Sequence, residues 1–309
     1  MVVLFLSAVD SAADWKAELG KHLPELELRV WPDLGDPTEI DAALVWRPPP
    51  GLLDRLPNLK LILSLGAGVD HILADPSLPP GVPILRLVDP YMTVAMSEYV
   101  QMHVLRLHRQ EPAYRAQQHA LVWRPLPQPN AAERRVGVLG LGVLGGDAAL
   151  RLKVLGFEVA GWCRTERKLR GIPTYRGAEG LAALAERSEI LVCLLPLTPA
   201  TAGILDARLF ARLPRGAAIV NCARGGHLVE ADLLAALDSG QLSAAALDVF
   251  GDEPLPQQHP FWRHPRILIT PHVAAATHPP TAAAAVADNL RRLKQGRPLF
   301  NRVDVSMRY

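Results

Sequence analysis

The segment Val136-Gly137-Val138-Leu139 runs directly into Gly140-Leu141-Gly142-Val143-Leu144-Gly145, and no other feature constrains the fold as tightly. A short apolar run followed by G-x-G-x-x-G is the pattern of a buried strand turning into a helix. Gly140 permits the tight turn, Gly142 lets a pyrophosphate approach the backbone, and Gly145 lets the helix pack on the strand. The helix N-terminus then offers free N–H groups and the positive end of its dipole to phosphate. Alone, such glycines also suit a turn with no ligand. Here the strand before, the helical pattern after and the next strand at Glu158 favour a dinucleotide.

Around this turn the chain alternates strand-like and helix-like segments. Six strand candidates follow Arg135: Val136–Leu139, Glu158–Trp162, Ile190–Leu194, Ala218–Asn221, Ala244–Val249 and Ile267–Ile269. Six is the count of a dinucleotide-binding sheet. Upstream, Val2–Leu6, Glu27–Trp31, Ala42–Trp46, Leu59–Leu65 and Val82–Val88 read as strands, with a helix over Ala12–His22. Such βα alternation predicts a parallel sheet covered by helices. Helical periodicity runs from about Thr93 to Gln118, where Pro112 should kink the helix or begin a second one. Thr281 to about Gln295 reads as a tail helix.

The expected fold is therefore α/β, with two Rossmann-like or flavodoxin-like domains built on parallel sheets. Residues 1–97 plus 280–309 would form a discontinuous substrate domain, and residues 98–279 an inserted NAD(P)-binding Rossmann domain. A chain of 309 residues is long for one domain and comfortable as two. With a net charge of +2 and no basic block, a nucleic-acid partner has no electrostatic support. The apolar start Met1–Ser7 lacks a basic n-region and is too short for a signal peptide or a membrane span, so a buried strand is expected there and no membrane partner. Cys163, Cys193 and Cys222 have neither disulfide nor zinc spacing. They read as packing residues, no metal is expected, and the cytoplasm is the natural compartment.

About 20 residues past the fingerprint, an NAD-binding sheet usually carries an acid for the ribose hydroxyls. The chain instead reads Trp162-Cys163-Arg164-Thr165-Glu166-Arg167-Lys168. A guanidinium pairs well with a 2′-phosphate, so Arg164, with Thr165 beside it, points to NADP(H) as the preferred cofactor and NAD(H) as the alternative. The competing reading is a group of solvated surface cations.

The chemistry gathers at three later strand ends. Ala218-Ile219-Val220 leads into Asn221-Cys222-Ala223-Arg224, so Arg224 falls at the C-terminal edge of the sheet. A guanidinium there can bind the carboxylate and carbonyl of a 2-oxo acid and polarise that carbonyl. Asp248 follows the next strand, Glu253 lies in the loop after it, and His272 follows Ile267–Thr270. A carboxylate beside a histidine can keep it protonated near neutral pH and make it a general acid.

Asn221 through Arg224-Gly225, Asp232-Leu233, Leu247-Asp248-Val249-Phe250, Glu253-Pro254 and Thr270-Pro271-His272 together resemble the D-2-hydroxyacid dehydrogenase family. The resemblance covers essentially the whole chain. Val45-Trp46-Arg47-Pro48-Pro49, Leu65-Gly66-Ala67-Gly68-Val69-Asp70-His71, Tyr114-Arg115-Ala116-Gln117-Gln118 and Trp162-Cys163-Arg164-Thr165 look closest to its glyoxylate/hydroxypyruvate reductase branch. It implies that His272 gives a proton to the carbonyl oxygen, Glu253 keeps His272 charged and Arg224 orients the substrate. It also implies cofactor contacts from Gly140, Gly142, Val143, Leu144, Gly145, Arg164, Thr165, Pro196, Ala223 and Asp248. Ala67, Gly68 and Val69 would offer backbone N–H groups to the substrate carboxylate, and Trp46 would line the substrate pocket or simply cover apolar surface. Arg47, Tyr91 and Met92 are further candidates in that region. A homodimer is implied by the family alone.

The expected activity is NADPH-dependent reduction of glyoxylate or hydroxypyruvate to the 2-hydroxy acid. Rivals within the fold are a 3-phosphoglycerate or branched 2-oxo acid dehydrogenase, or a phosphite-oxidising enzyme. The rival outside enzymology is an NAD(H)-responsive binding protein.

Overall fold

A computed structural model describes residues 1–164 and 169–307. The chain divides into two compact units, Met1–Met92 with Ala276–Tyr309, and Thr93–Ala275. Both are built on all-parallel sheets, so the α/β expectation is met.

In the first unit the strands are β1 (Val2–Leu6), β2 (Glu27–Val30), β3 (Ile40–Val45), β4 (Leu61–Ser64) and β5 (Ile84–Leu85), in the order β2-β1-β3-β4-β5. That is the flavodoxin-like order. Parallel strands covered on both faces need apolar residues throughout, and β4 is buried at every position. Helix α1 (Ala12–His22) starts where Ser11 accepts a hydrogen bond from the Asp14 N–H, and it buries Trp15 and Leu19, which lie one turn apart. The short α2 (Asp70–Leu73) follows β4. The tail helix α9 (Pro279–Lys294) buries Ala282, Ala283, Val286, Ala287 and Leu290 at helical spacing.

The second unit carries β6 (Arg135–Leu139), β7 (Glu158–Trp162), β8 (Thr174–Tyr175), β9 (Ile190–Cys193), β10 (Ala217–Asn221), β11 (Leu242–Leu247) and β12 (Ile267–Ile269). Their order is β12-β11-β10-β9-β6-β7-β8. The sequence pattern predicts six strands, and the sheet has a seventh, β8, a two-residue edge strand too short to show periodicity. The order reverses between β6 and β9, which is where such sheets bind ligands beyond their C-terminal ends. Helices α5 (Val143–Val154), α6 (Gly177–Arg187), α7 (Ala207–Arg212) and α8 (Glu230–Asp238) connect the strands. Buried clusters pack on the sheet, one around Leu191, Ile219 and Phe261 and the other around Val138, Val192 and Val220.

The long helical pattern is divided into α3 (Pro90–His108) and α4 (Glu111–His119). Between them Gln110 takes the left-handed conformation at φ 58°, and Pro112 occupies the first turn of α4, where its missing N–H costs nothing. Among the described residues, no helix is long and apolar enough to cross a membrane.

Candidate active site

The fingerprint turn joins β6 to α5, with Gly142 as the residue before the helix. Gly140 sits at φ 93°, and a Cβ there would meet the Leu194 carbonyl at 2.6 Å. A Cβ on Gly145 would lie 1.8 Å from the Gly140 carbonyl, so the helix can pack this closely only on glycine. Gly142 differs: among the described residues, a Cβ there would meet nothing within 4 Å. Among the described residues no side chain caps α5, which leaves the first-turn N–H groups of Val143 and Leu144 open to an anion. These features fit a dinucleotide pyrophosphate.

Arg164 is exposed, two residues past the end of β7. Thr165, together with Glu166, Arg167 and Lys168, lies outside the described residues. Pro196 is exposed in the loop after β9, while Ala223 is buried in the loop after β10.

Arg224 follows β10 by three residues and is half-buried. Its backbone carbonyl accepts from Asn221 Nδ2 at 3.1 Å, and its Nη1 donates to the Ala223 carbonyl at 2.7 Å. The next residue fixes the turn against the neighbouring loop. A Cβ on Gly225 would lie 1.9 Å from the Phe250 carbonyl carbon, so only glycine lets the arginine turn press on the Phe250–Gly251 backbone. That same Phe250 donates its N–H to Glu253 Oε1 at 3.0 Å.

Glu253 Oε2 lies 2.9 Å from His272 Nδ1. The histidine sits at φ 55°, a backbone region uncommon for a residue with a Cβ. Asp248 holds it there. The Asp248 carbonyl accepts the His272 N–H at 2.8 Å, and its carboxylate accepts the N–H groups of Val273 and Ala274, each at 2.9 Å. Thr270 Oγ1 donates to the same carboxylate at 2.6 Å and meets Tyr99 Oη at 2.7 Å. The Asp248 side chain, 1% exposed, therefore braces the turn that presents His272. Burial pushes the Tyr99 hydroxyl well above its ordinary range, so it stays a neutral link in this chain. Sequence reasoning gave Tyr99 no role and Thr270 only a place in the family motif, because their contact spans 171 residues.

Cys193 and Cys222 are fully buried, and burial pushes both thiols up, Cys193 to about 12. Such thiols are packing groups and not nucleophiles.

In the first unit, the loop Leu65–Val69 leaves the end of β4 and enters α2. Ser64 Oγ accepts the Gly66 N–H at 3.2 Å and donates to the Gly68 carbonyl at 2.9 Å, which shapes the loop. Ala67 and Gly68 are half-buried and Val69 is buried. The Trp46 ring lies against Gly66, where a Cβ would meet it at 2.6 Å, and 4.4 Å from the His71 ring. Arg47 is exposed at φ 50°, Tyr91 stacks on His278 at 4.6 Å, and Met92 is buried.

Residues 101–274 match the family profile described as D-isomer specific 2-hydroxyacid dehydrogenase, NAD binding domain. The chain belongs to the D-isomer specific 2-hydroxyacid dehydrogenases. It is 46% identical, over 100% of both chains, to glyoxylate/hydroxypyruvate reductase A of Serratia proteamaculans. In structure it is similar to a D-isomer specific 2-hydroxyacid dehydrogenase from Xanthobacter autotrophicus Py2 crystallised with NADPH and MES, with a TM-score of 0.96, 45% identity and coverage of 100% and 99%. It is also similar to the NADPH-dependent glyoxylate/hydroxypyruvate reductase of Sinorhizobium meliloti, crystallised with NADP and sulfate, with a TM-score of 0.92, 43% identity and the same coverage. As a member of this family, the chain is an NAD(P)-dependent oxidoreductase.

Proposed function

We propose that this dehydrogenase reduces glyoxylate and hydroxypyruvate to their 2-hydroxy acids with NADPH. The observation that carries the reading is the pair Glu253 Oε2 and His272 Nδ1, 2.9 Å apart and bracketed by the Arg224 turn through Gly225 and Phe250. The reductases named above, from Serratia proteamaculans and Sinorhizobium meliloti, support the choice of acids and cofactor.

When bound, NADPH supplies the hydride that reduces the carbonyl carbon. His272, held at Nδ1 by Glu253, gives its Nε2 proton to the carbonyl oxygen as negative charge develops there. Glu253 supports the charged ring. Arg224 orients the acid through its carboxylate and polarises the carbonyl. In the first unit, the backbone N–H groups of Ala67, Gly68 and Val69 are candidate carboxylate ligands, since small residues after a strand let an anion approach the backbone. Trp46 is a candidate specificity residue. In the second unit, Gly140, Gly142, Val143, Leu144 and Gly145 receive the pyrophosphate. Asp248 would lie on the nicotinamide side, Pro196 and Ala223 would be further cofactor contacts, and Arg164 would meet the 2′-phosphate. The first unit is accordingly the substrate domain and the second the cofactor domain. The buried thiols of Cys193 and Cys222 suit a reducing cytoplasm, and Leu121 and Trp123, 93% and 100% exposed, suit burial in a homodimer.

The test is steady-state oxidation of NADPH and NADH with hydroxypyruvate, glyoxylate, pyruvate and bulkier 2-oxo acids. Turnover that favours NADPH and the two small acids is expected, with the cofactor preference reduced in Arg164→Asp. Preference for NADH or for bulkier acids would overturn the assignment.

A further inference from the structure

We propose that His227 is a positioning residue that ties the loop after β9 to the backbone of Arg224. The proposal rests on the reading above for what the two loops hold. His227 is 0% exposed and ends the short turn Gly225–His227 after β10. Its Nδ1 lies 3.2 Å from the Arg224 carbonyl, and its Nε2 lies 3.2 Å from the Pro196 carbonyl, 31 residues away in sequence. One buried ring thus spans the peptide of the substrate-orienting arginine and the peptide of a cofactor-side proline.

Carbonyl oxygens only accept, so each contact needs an N–H on the ring. A singly protonated ring serves one loop at a time, and a doubly protonated ring serves both.

The surroundings make the tie separable from the fold. Leu205 donates its N–H to the His227 carbonyl at 2.9 Å, and Gly203 donates to the Gly226 carbonyl at 2.9 Å, so the backbone here is held independently of the ring. The Arg224 carbonyl also accepts from Asn221 Nδ2 at 3.1 Å, and the Pro196 carbonyl from Thr201 Oγ1 at 2.7 Å. Removing the ring therefore leaves neither carbonyl bare. What it removes is the registration of one loop against the other, and small displacements of a positioning group cost rate far more than stability.

The two nitrogens can be tested apart. The amide nitrogen of asparagine superposes on Nδ1 of histidine, and that of glutamine on Nε2. His227→Asn keeps the Arg224 contact and loses the one to Pro196; His227→Gln does the reverse. With each hydrogen bond contributing about 0.5–1.5 kcal/mol net, the expected changes are roughly 2- to 10-fold. For His227→Asn, NADPH binding followed by fluorescence should weaken by that factor while the KM for hydroxypyruvate stays near wild type. For His227→Gln, NADPH binding should hold while KM rises. His227→Leu should weaken both and lower kcat/KM by about 10- to 100-fold at a similar melting temperature.

Equal changes in both constants for the asparagine and glutamine variants, or wild-type values in His227→Leu, would overturn the proposal. NADPH binding needs no turnover. If the wild type reduced no 2-oxo acid, the proposed function would fall, and the asparagine–glutamine difference in NADPH binding would still decide the role of His227.

Discussion

The carboxylate of Glu253 holds His272 from the Nδ1 side at 2.9 Å, and its second oxygen is fixed by the Phe250 N–H at 3.0 Å. One carboxylate thus joins the ring of His272 to the Phe250 backbone and sets the ring's orientation. Glu253→Gln keeps an oxygen for one of these contacts and removes the charge. At neutral pH, kcat/KM should fall by about 10- to 100-fold, within the range of a general-acid contribution. Turnover at the wild-type rate in Glu253→Gln would contradict a role for the pair in the proton transfer.

Asp248 braces the turn that carries His272. Asp248→Ala leaves the N–H groups of Val273 and Ala274 and the Thr270 hydroxyl without their acceptor. We expect a loss of about 1–3 kcal/mol in unfolding free energy, measurable by denaturant titration, since a stranded buried group such as the Ala274 N–H costs about that much. Asp248→Asn keeps one acceptor oxygen and should lose less. Wild-type stability in the alanine variant would contradict the bracing role.

Two glycines of the fingerprint should respond differently to the same substitution. At Gly145 a methyl group would collide with the Gly140 carbonyl at 1.8 Å, so Gly145→Ala should lower both melting temperature and NADPH affinity. At Gly142 a methyl group meets no atom of the described residues within 4 Å. Gly142→Ala should therefore melt like the wild type and bind NADPH at least about tenfold more weakly, as expected where the backbone must approach a pyrophosphate. Unchanged NADPH binding in Gly142→Ala would remove the phosphate from this turn.

His103 lies in α3, 1% exposed, with its ring 4.3 Å from that of Tyr99. Neither ring nitrogen meets a hydrogen-bond partner among the described residues. Burial, with the nearby Arg106 charge, pushes the imidazole down from 6.5 to about 4. Between those values the unfolded chain binds a proton that the folded chain does not, so stability falls as pH drops from 6.5 to about 4. The gain in melting temperature of His103→Leu over the wild type should therefore be larger at pH 5 than at pH 7.5. Equal gains at both pH values would show that His103 does not supply this acid sensitivity.

Strong local signals made much of this molecule legible from sequence. The apolar run Val2–Leu6 and the Ser11-capped helix Ala12–His22 are found at the expected bounds, as is Glu158–Trp162. The fingerprint was legible because Gly140 and Gly145 answer to contacts within a few residues or with the adjacent strand. What stayed hidden is set by distant partners. Thr174–Tyr175 forms a strand only because β7 offers it an edge. Asp248 reads as one strand-end acid among several until the N–H groups of residues 273 and 274 are seen to converge on it. His227 is one histidine of ten, and no local pattern announces its contact with Pro196.

The most direct test of the account is His272→Asn, assayed for NADPH binding by fluorescence and for hydroxypyruvate reduction by single-turnover kinetics. NADPH affinity should stay near wild type and the reduction rate should fall by about 10²- to 10⁴-fold, the usual contribution of a positioned general acid. Reduction at the wild-type rate in this variant would contradict the assignment of His272 as the proton donor.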